Sequence, residues 1–340
     1  MYRDKHVAVV VPAYNESSFV SKVIETVPDY VDRVYAIDDH STDGTWDEIC
    51  ETADLMNASK RVDTPIADGG RGEDRFVVPI RHAENIGVGG AIKTGYRRAY
   101  ADGMDAVAVM HGDGRMDPTI LDRILDPVVS GRADYAKGNR LTTTDRRGMS
   151  GVRLFGNLTL SLLTKVASGY WQMLDPQNGY TAISRQALDR LEIDRLHDQS
   201  GFVNDVLIRC NAAGLRVTDV PMRARYGDER SRVRLSTFVP SVSRLLLSGL
   251  LWRLRTRYVV FDFHPLVALF PLALFGLVAG VVGAGAVALG IGTAGDSALA
   301  RTLVLAVVGI SGVLFSTGLL LDRHASDSLW VRASEGVEPR

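Results

Sequence analysis

Two long apolar runs near the end of the chain constrain its fold most. Beyond Phe261 the sequence reads LVALFPLALFGLVAGVVGAGAVALGI, with no charged side chain between His264 and Asp296. A run of about 25 residues crosses a ~30 Å hydrocarbon core with some tilt. A second run, Leu303 to Leu321, follows a short Gly/Ala/Ser-rich connection that holds Asp296 and Arg301. We expect two transmembrane helices, at about 265–291 and 299–321, within a membrane segment 261–324. A buried helical hairpin is the competing reading, and the length of both runs speaks against it.

The flanks set the expected orientation. Arg253, Arg255 and Arg257 precede the first run and Arg323 and Arg332 follow the second, whereas the connection offers only Arg301. Basic residues are retained on the cytoplasmic side, so the preceding domain, both termini and a tail over 325–340 are expected there. Residues 235–260, rich in leucine with Arg244, Trp252 and Arg253, read as an amphipathic helix lying in the bilayer interface. A helix packed on the preceding domain is the alternative. At the other end, MYRDKH followed by VAVVVP is too short an apolar run for a signal peptide.

The first part of the chain, 1–234, has the mixed, charged text of a soluble enzyme. A formal net charge of -1 argues against a nucleic-acid partner. Cys50 and Cys210 lack metal or redox spacing and read as buried thiols. Strand-like runs (VAVVVP, VDRVYAID, RFVVPI, DAVAVM) alternate with helical spacing at 17–27, after STDGT, from about Ala91 to Ala101, and from DPTILDRIL. Ser17 or Ser18 would cap the first helix. The alternation points to an α/β fold, an open, mainly parallel sheet flanked by helices. Segment 57–74 reads as an exposed loop insertion, and 139–152 as a candidate flap.

Ligands of such sheets bind at the carboxyl ends of strands. Asn15, Glu16, Asp38, Asp39, Asn85, His111 and Asp113 stand there. Glycines 87, 89, 90 and 95 surround a turn-to-helix junction, but after the third strand. A dinucleotide fingerprint belongs in the first β-α turn, and that turn, PAYNES, has no glycine. An oxidoreductase is therefore disfavoured.

Six segments in order carry a specific resemblance: VVPAYNE (10–16), AIDDHSTDGT (36–45), RHAENIGVGGAIKTGY (81–96), MHGDGRMDP (110–118), DPQNGYTAISRQAL (175–188) and FVNDVLIRC (202–210). Together they resemble the family 2 glycosyltransferases of GT-A fold. Within that family they are most similar to membrane-tethered polyprenyl-phosphate sugar transferases of the dolichol-phosphate mannose synthase kind. The resemblance implies a nucleotide-sugar site built from Pro12, Ala13, Tyr14, Glu16, Asp38, Asp39, Asn85, Gly87, Gly112 and Asp113. It departs from the family at His111, which gives H-G-D in place of D-x-D, and in lacking the Q-x-x-R-W signature of processive synthases. One sugar per encounter is expected.

A departing nucleoside diphosphate concentrates negative charge, which a divalent cation neutralises. Mg²⁺ or Mn²⁺ is expected on Asp113, with phosphate and water completing its shell. His111 either joins as a ligand, tilting preference towards Mn²⁺, or hydrogen-bonds nearby. Lys93 either reaches a phosphate or stands in solvent. Asp205 is the candidate general base, with the anomeric configuration inverting. A phosphate acceptor is already mostly dianionic at neutral pH, which would reduce Asp205 to an orienting role. Asn178 sits in the acceptor-side segment. Arg225, Arg230, Arg232 and Arg234 either clamp diphosphate or lipid phosphate, or attract anionic headgroups; Arg140 is a further phosphate candidate.

The expected activity is inverting transfer of a single hexose from a UDP- or GDP-sugar to dolichyl or undecaprenyl phosphate at the cytoplasmic membrane face. The alternatives are a glycolipid synthase acting on a lipid hydroxyl and a non-catalytic, nucleotide-binding membrane scaffold.

Overall fold

The computed structural model describes residues 1–60, 75–141, 151–223, 235–261, 264–289 and 297–332. The chain divides into two units, one of Met1–Gly249 joined by the segment from Ser328, the other Leu250–Asp327.

In the first unit the strands are β1 (Val7–Ala13), β2 (Arg33–Asp38), β3 (Val77–Arg81), β4 (Ala106–Val109), β5 (Tyr135–Asn139), β6 (Thr181–Ser184) and β7 (Val217–Pro221). They form one sheet in the order β3-β2-β1-β4-β6-β5-β7. Only β6 runs antiparallel to its neighbours, so the sheet is mainly parallel, as expected. β1 is buried along its whole length, which its VAVVVPA text anticipates for a central parallel strand. Its side chains alternate between two cores. Val7, Val9, Val11 and Ala13 meet Val20, Ile24, Ile49 and Leu125 on one face. Ala8 and Val10 meet Ile92, Tyr96 and Leu207 on the other.

The helices of this unit are α1 (Val20–Glu25), α2 (Thr45–Ser59), α3 (Val88–Ala101), α4 (Leu121–Val129), α5 (Gly151–Ser168), α6 (Arg185–Arg190) and α7 (Phe202–Ala212). The chain winds outward from β1 to β2 and β3, then returns to β4 on β1's other side. That reversal opens a crevice at the carboxyl ends of β1 and β4.

Two local expectations are corrected. Neither Ser17 nor Ser18 caps α1; its first amides, those of Phe19 and Val20, donate to the Glu16 carbonyl instead. Residues 57–59 are the end of α2 and not loop, because the Asn57 amide pairs with both the N–H and the C=O of Val77 at β3. Most of the proposed insertion and flap lies outside the described residues.

Helix α8 (Leu235–Arg255) ends in a π-type turn (Thr256–Phe261), and α9 (Leu266–Ala288) and α10 (Ser297–Ser326) follow. In the second unit α9 and α10 pair through small residues: Gly276 faces Ser311 and Gly280 faces Val308. Leu274, Phe275, Val281, Leu305, Ile310 and Val313 are all more than half exposed, an apolar sheath suited to lipid. Both helices are long and apolar enough to cross a membrane. At the end of α10, Asp322 makes a buried two-bond pair with Arg253 and accepts from the Tyr258 hydroxyl. Back in the first unit, Trp330 bridges to Val217 on β7.

Candidate active site

The crevice predicted by the strand order holds a cleft of about 350 Å³. Its walls are Pro12, Ala13, Tyr14 and Glu16 at and beyond the end of β1, Asp39 after β2, Asn85 and Gly87 before α3, and His111, Gly112 and Asp113 after β4. Most of the expected nucleotide-sugar residues thus converge on one cavity. Gln199 and Ser200 also line it. No motif flagged that pair, because they sit in a segment without periodicity and reach the cleft only through tertiary contacts.

Side chains pin the loops that form these walls. The Asn15 N–H donates to Ser41 Oγ, and Asn15 Oδ1 accepts the Thr42 N–H. Glu16 N–H donates to Thr45 Oγ1. Asp39 accepts the amides of Ile86 and Gly87 on its two oxygens, at 3.0 and 2.8 Å. His82 meets Asp39 through Nδ1 at 2.8 Å and Thr94 through Nε2 at 3.0 Å. The Gly87 amide can turn towards Asp39 because its φ of 95° is open to glycine. On the opposite wall the Gly112 N–H donates to the Pro12 carbonyl, holding the H-G-D turn against β1.

Several residues expected at the site are bound to other protein groups. Asp38 is fully buried and does not line the cleft; it accepts the Ser41 amide, with Arg81 Nε 3.1 Å away. Lys93 reaches no open space: its ammonium donates to the carbonyls of Asp194 and Leu196 and to Asp198 Oδ1. Asp205 is buried, accepts the His197 amide and pairs with Arg209, and it is not among the residues lining the cleft. Arg140 is committed to Asp175 through two side-chain bonds of 2.7 and 2.9 Å. Asn178 is buried, with Oδ1 accepting the Tyr180 amide. Arg225, Arg230, Arg232 and Arg234 lie outside the described residues.

His111 and Asp113 flank the cleft floor. Burial holds the His111 imidazole below its ordinary pKa, against the opposite pull of Asp113, and so keeps the ring neutral at physiological pH. A neutral ring is the ligand form, and its Nε2 is buried without a hydrogen-bond partner. Asp113 is one-quarter exposed, with Arg115 Nε 3.6 Å from it. Among the described residues no cluster of three or more metal-ligating side chains exists. The pair therefore fits a divalent cation only if substrate oxygens and water supply the remaining ligands, the habit of Mg²⁺ and Mn²⁺ at phosphate sites. The cleft wall carries three carboxylates, Glu16, Asp39 and Asp113, and no Lys or Arg among its lining residues.

A second depression, of about 460 Å³, is lined by Lys5, Tyr100, Asp105, Arg185 and Asp189. Its polar groups satisfy one another: Lys5 pairs with Asp105, Tyr100 with Asp189, and Arg185 stacks on Tyr100. It offers no convergent, unpaired chemistry.

Comparison with known proteins agrees with this fold. The sequence model of glycosyl transferase family 2 matches residues 8–192. A UDP-N-acetylglucosamine–dolichyl-phosphate N-acetylglucosaminyltransferase of Methanococcus voltae is 28% identical over 225 residues, covering 66% of this chain and 87% of that protein. An undecaprenyl-phosphate mannosyltransferase of Micrococcus luteus is 28% identical over 229 residues, 64% of this chain and 82% of that one. Among solved structures, glucosyl-3-phosphoglycerate synthase from Mycobacterium tuberculosis with Mn²⁺ and UDP-glucose superposes with a TM-score of 0.51 at 20% identity. That match covers 74% of this chain and 79% of the other, and speaks to the fold alone.

Proposed function

From the premise that this chain belongs to glycosyl transferase family 2, we propose that it moves one hexose from a UDP- or GDP-sugar to a polyprenyl phosphate at the cytoplasmic membrane face. The observation that carries the proposal is the joining, in one chain, of the acidic cleft at the β1/β4 crevice to two helices long and apolar enough to span a bilayer. A polyprenyl acceptor cannot leave the bilayer, so its transferase must be held there. The relatives named above act on dolichyl and undecaprenyl phosphates, which supports the same acceptor class here.

In the proposed reaction a phosphate oxygen of the acceptor attacks the anomeric carbon. The bond from that carbon to the nucleotide's terminal phosphate breaks, and the nucleoside diphosphate leaves with the bonding pair. One displacement inverts the configuration. The attacking phosphate has a second pKa near 6 and is mostly dianionic at neutral pH, so no side chain need remove a proton. That suits a cleft in which Asp205 is not a wall and Asp39 is committed to the 86–87 turn.

The acidic lining argues for a cation. An anionic diphosphate entering between Glu16, Asp39 and Asp113 meets like charge, and like charges near one another are unfavourable at low dielectric. Asp113 and His111 would hold Mg²⁺ or Mn²⁺, which when bound neutralises charge on the departing diphosphate. Tyr14, Asn85 and Gly87 would seat the nucleoside. The cytoplasmic orientation rests on Arg253, Arg255 and Arg257 before the helices and Arg323 and Arg332 at and beyond their end.

The test is an assay of membranes containing the protein with labelled nucleotide sugars and defined polyprenyl phosphates. We expect a lipid product whose sugar is released by mild acid, as a phosphodiester-linked sugar is. A product stable to mild acid would instead mean transfer to a lipid hydroxyl. Nucleotide binding without any transfer would point to the scaffold reading.

A further inference from the structure

Two titratable residues that the sequence placed in the chemistry, Lys93 on α3 and Asp205 on α7, both bind the same stretch of backbone. Residues 194–200 form a strap with little regular structure, laid over the start of α3. From α3, the Lys93 ammonium donates to Asp194 O at 3.1 Å, Leu196 O at 2.9 Å and Asp198 Oδ1 at 2.7 Å. From α7, Asp205 accepts the His197 amide at 2.9 Å, and Arg209 donates to Arg195 O at 2.8 Å. The strap then closes onto the α3 turn: the Gly90 amide donates to Asp198 O, and Gln199 Nε2 donates to Ile86 O at 3.1 Å.

Lysine is seldom buried, and Lys93 is only 5% exposed. An ammonium has three protons, and all three have acceptors here. What this arrangement fixes is the path of a loop, not a core. The missing side chains of α3 serve the same end. A Cβ on Gly89 would collide with His197 O, and one on Gly87 would stand 2.6 Å from both Asp198 O and Gln199 Oε1. The strap therefore lies against bare helix, and it ends in Gln199 and Ser200, which form part of the cleft wall beside Gly87 and Val88.

We propose that Lys93 and Asp205 are positioning residues for donor binding that act through the 194–200 strap, and that Gln199 and Ser200 are its contacts with the nucleotide sugar. The inference rests on the cleft being the donor site of the transferase proposed above. It assigns Asp205 no part in proton transfer.

The experiment uses the full chain in detergent or nanodiscs. It measures KM and kcat for the nucleotide sugar that the membrane assay selects, with melting temperature in parallel. Lys93→Met should raise KM by at least about tenfold and change kcat at saturating donor less than about threefold, with Lys93→Arg recovering part of the loss. Asp205→Asn should show the same split on a phosphate acceptor. Gln199→Ala should raise KM at an unchanged melting temperature. Gly89→Ala, which removes no charge but displaces the strap, should reproduce the Lys93→Met signature and covers the case of that variant misfolding. Loss of kcat in Asp205→Asn at saturating donor would make it a catalytic base and overturn the proposal, as would unchanged KM in both Gln199→Ala and Gly89→Ala. A wild-type protein that transfers no sugar and binds neither UDP nor GDP would instead sink the parent reading.

Discussion

The Nε2 atom of His111 occupies the space where a side chain on residue 179 would begin: a Cβ built on Gly179 stands 2.6 Å from it. The H-G-D turn after β4 and the 175–180 segment before β6 are therefore fitted to each other at one missing methyl group. Adding that methyl overpacks a buried site, at a cost of about 1–3 kcal/mol. Gly179→Ala should lower stability in that range and reduce turnover by at least about tenfold, since displacement of a site group by about 1 Å is costly in rate. The pair is coupled, so the stability cost should shrink when His111→Ala is added. Additive melting-temperature losses in the double variant would show that the two residues do not share this space.

A second expectation concerns charge. With Glu16, Asp39 and Asp113 on the cleft wall, a nucleoside diphosphate should bind weakly until a cation joins it. We expect chelation of divalent ions to weaken UDP or GDP binding by at least about tenfold, a difference of about 1.4 kcal/mol. Asp113→Asn should lose that metal response yet bind nucleotide no worse than wild type when both are metal-free, because one repelling charge is gone. Titration calorimetry with and without Mn²⁺ measures both. Wild-type affinity indifferent to chelation would remove the case for a metal on Asp113.

The cleft was legible in the sequence to the extent that it is made of strand ends. Residues 12–16, Asp39 and 111–113 each follow a run whose apolar text fixes a buried parallel strand, and parallel strands bring their carboxyl ends together. What stayed illegible depends on contacts distant in sequence. Asp38 and Asp39 are adjacent and chemically alike, yet the first is sealed in and the second faces the cleft, and alternation along β2 could not say which. Lys93 read as either a phosphate ligand or a solvated lysine because its acceptors lie about a hundred positions away, in a segment with no pattern of its own. Asp205 was read from its helix as facing the site, and helix text alone could not show that it also accepts the His197 amide and pairs with Arg209.

The Arg140–Asp175 pair makes a pH-dependent contribution to stability. Burial pushes the Asp175 carboxyl up, but the Arg140 guanidinium, by hydrogen bond and charge, and then Lys137 outweigh it and hold the pKa below the ordinary value. A depressed folded-state pKa means stability that is present above the unfolded value of about 3.9 and is lost as pH falls through the folded one. Arg140→Gln should therefore destabilise the protein at pH 7, by about 1–2 kcal/mol once the partial exposure of Arg140 is discounted. The gap from wild type should narrow below about pH 4. Urea unfolding across pH 3–7 reads the gap directly, and a constant difference would assign the loss to packing.

The last expectation concerns the unit that holds the two long apolar helices. Arg253 and Asp322 are both almost fully buried, joined at 2.8 and 2.9 Å, and the Tyr258 hydroxyl adds a third bond at 2.6 Å. The pair ties the end of α8 to the end of α10, so it fixes where the chain enters and leaves the helical hairpin. Removing one member of a buried pair leaves the other uncompensated and costs about 3–5 kcal/mol, whereas replacing both with apolar groups of similar volume is often neutral. Arg253→Met should therefore lower the detergent melting temperature and the yield of monodisperse protein more than the double variant Arg253→Met/Asp322→Leu does. Asp322→Asn should fall between them, since an amide still accepts from Arg253 and Tyr258. If the double variant proves at least as unstable as Arg253→Met, the charges contribute attraction beyond mutual neutralisation, and the hairpin depends on the ion pair itself.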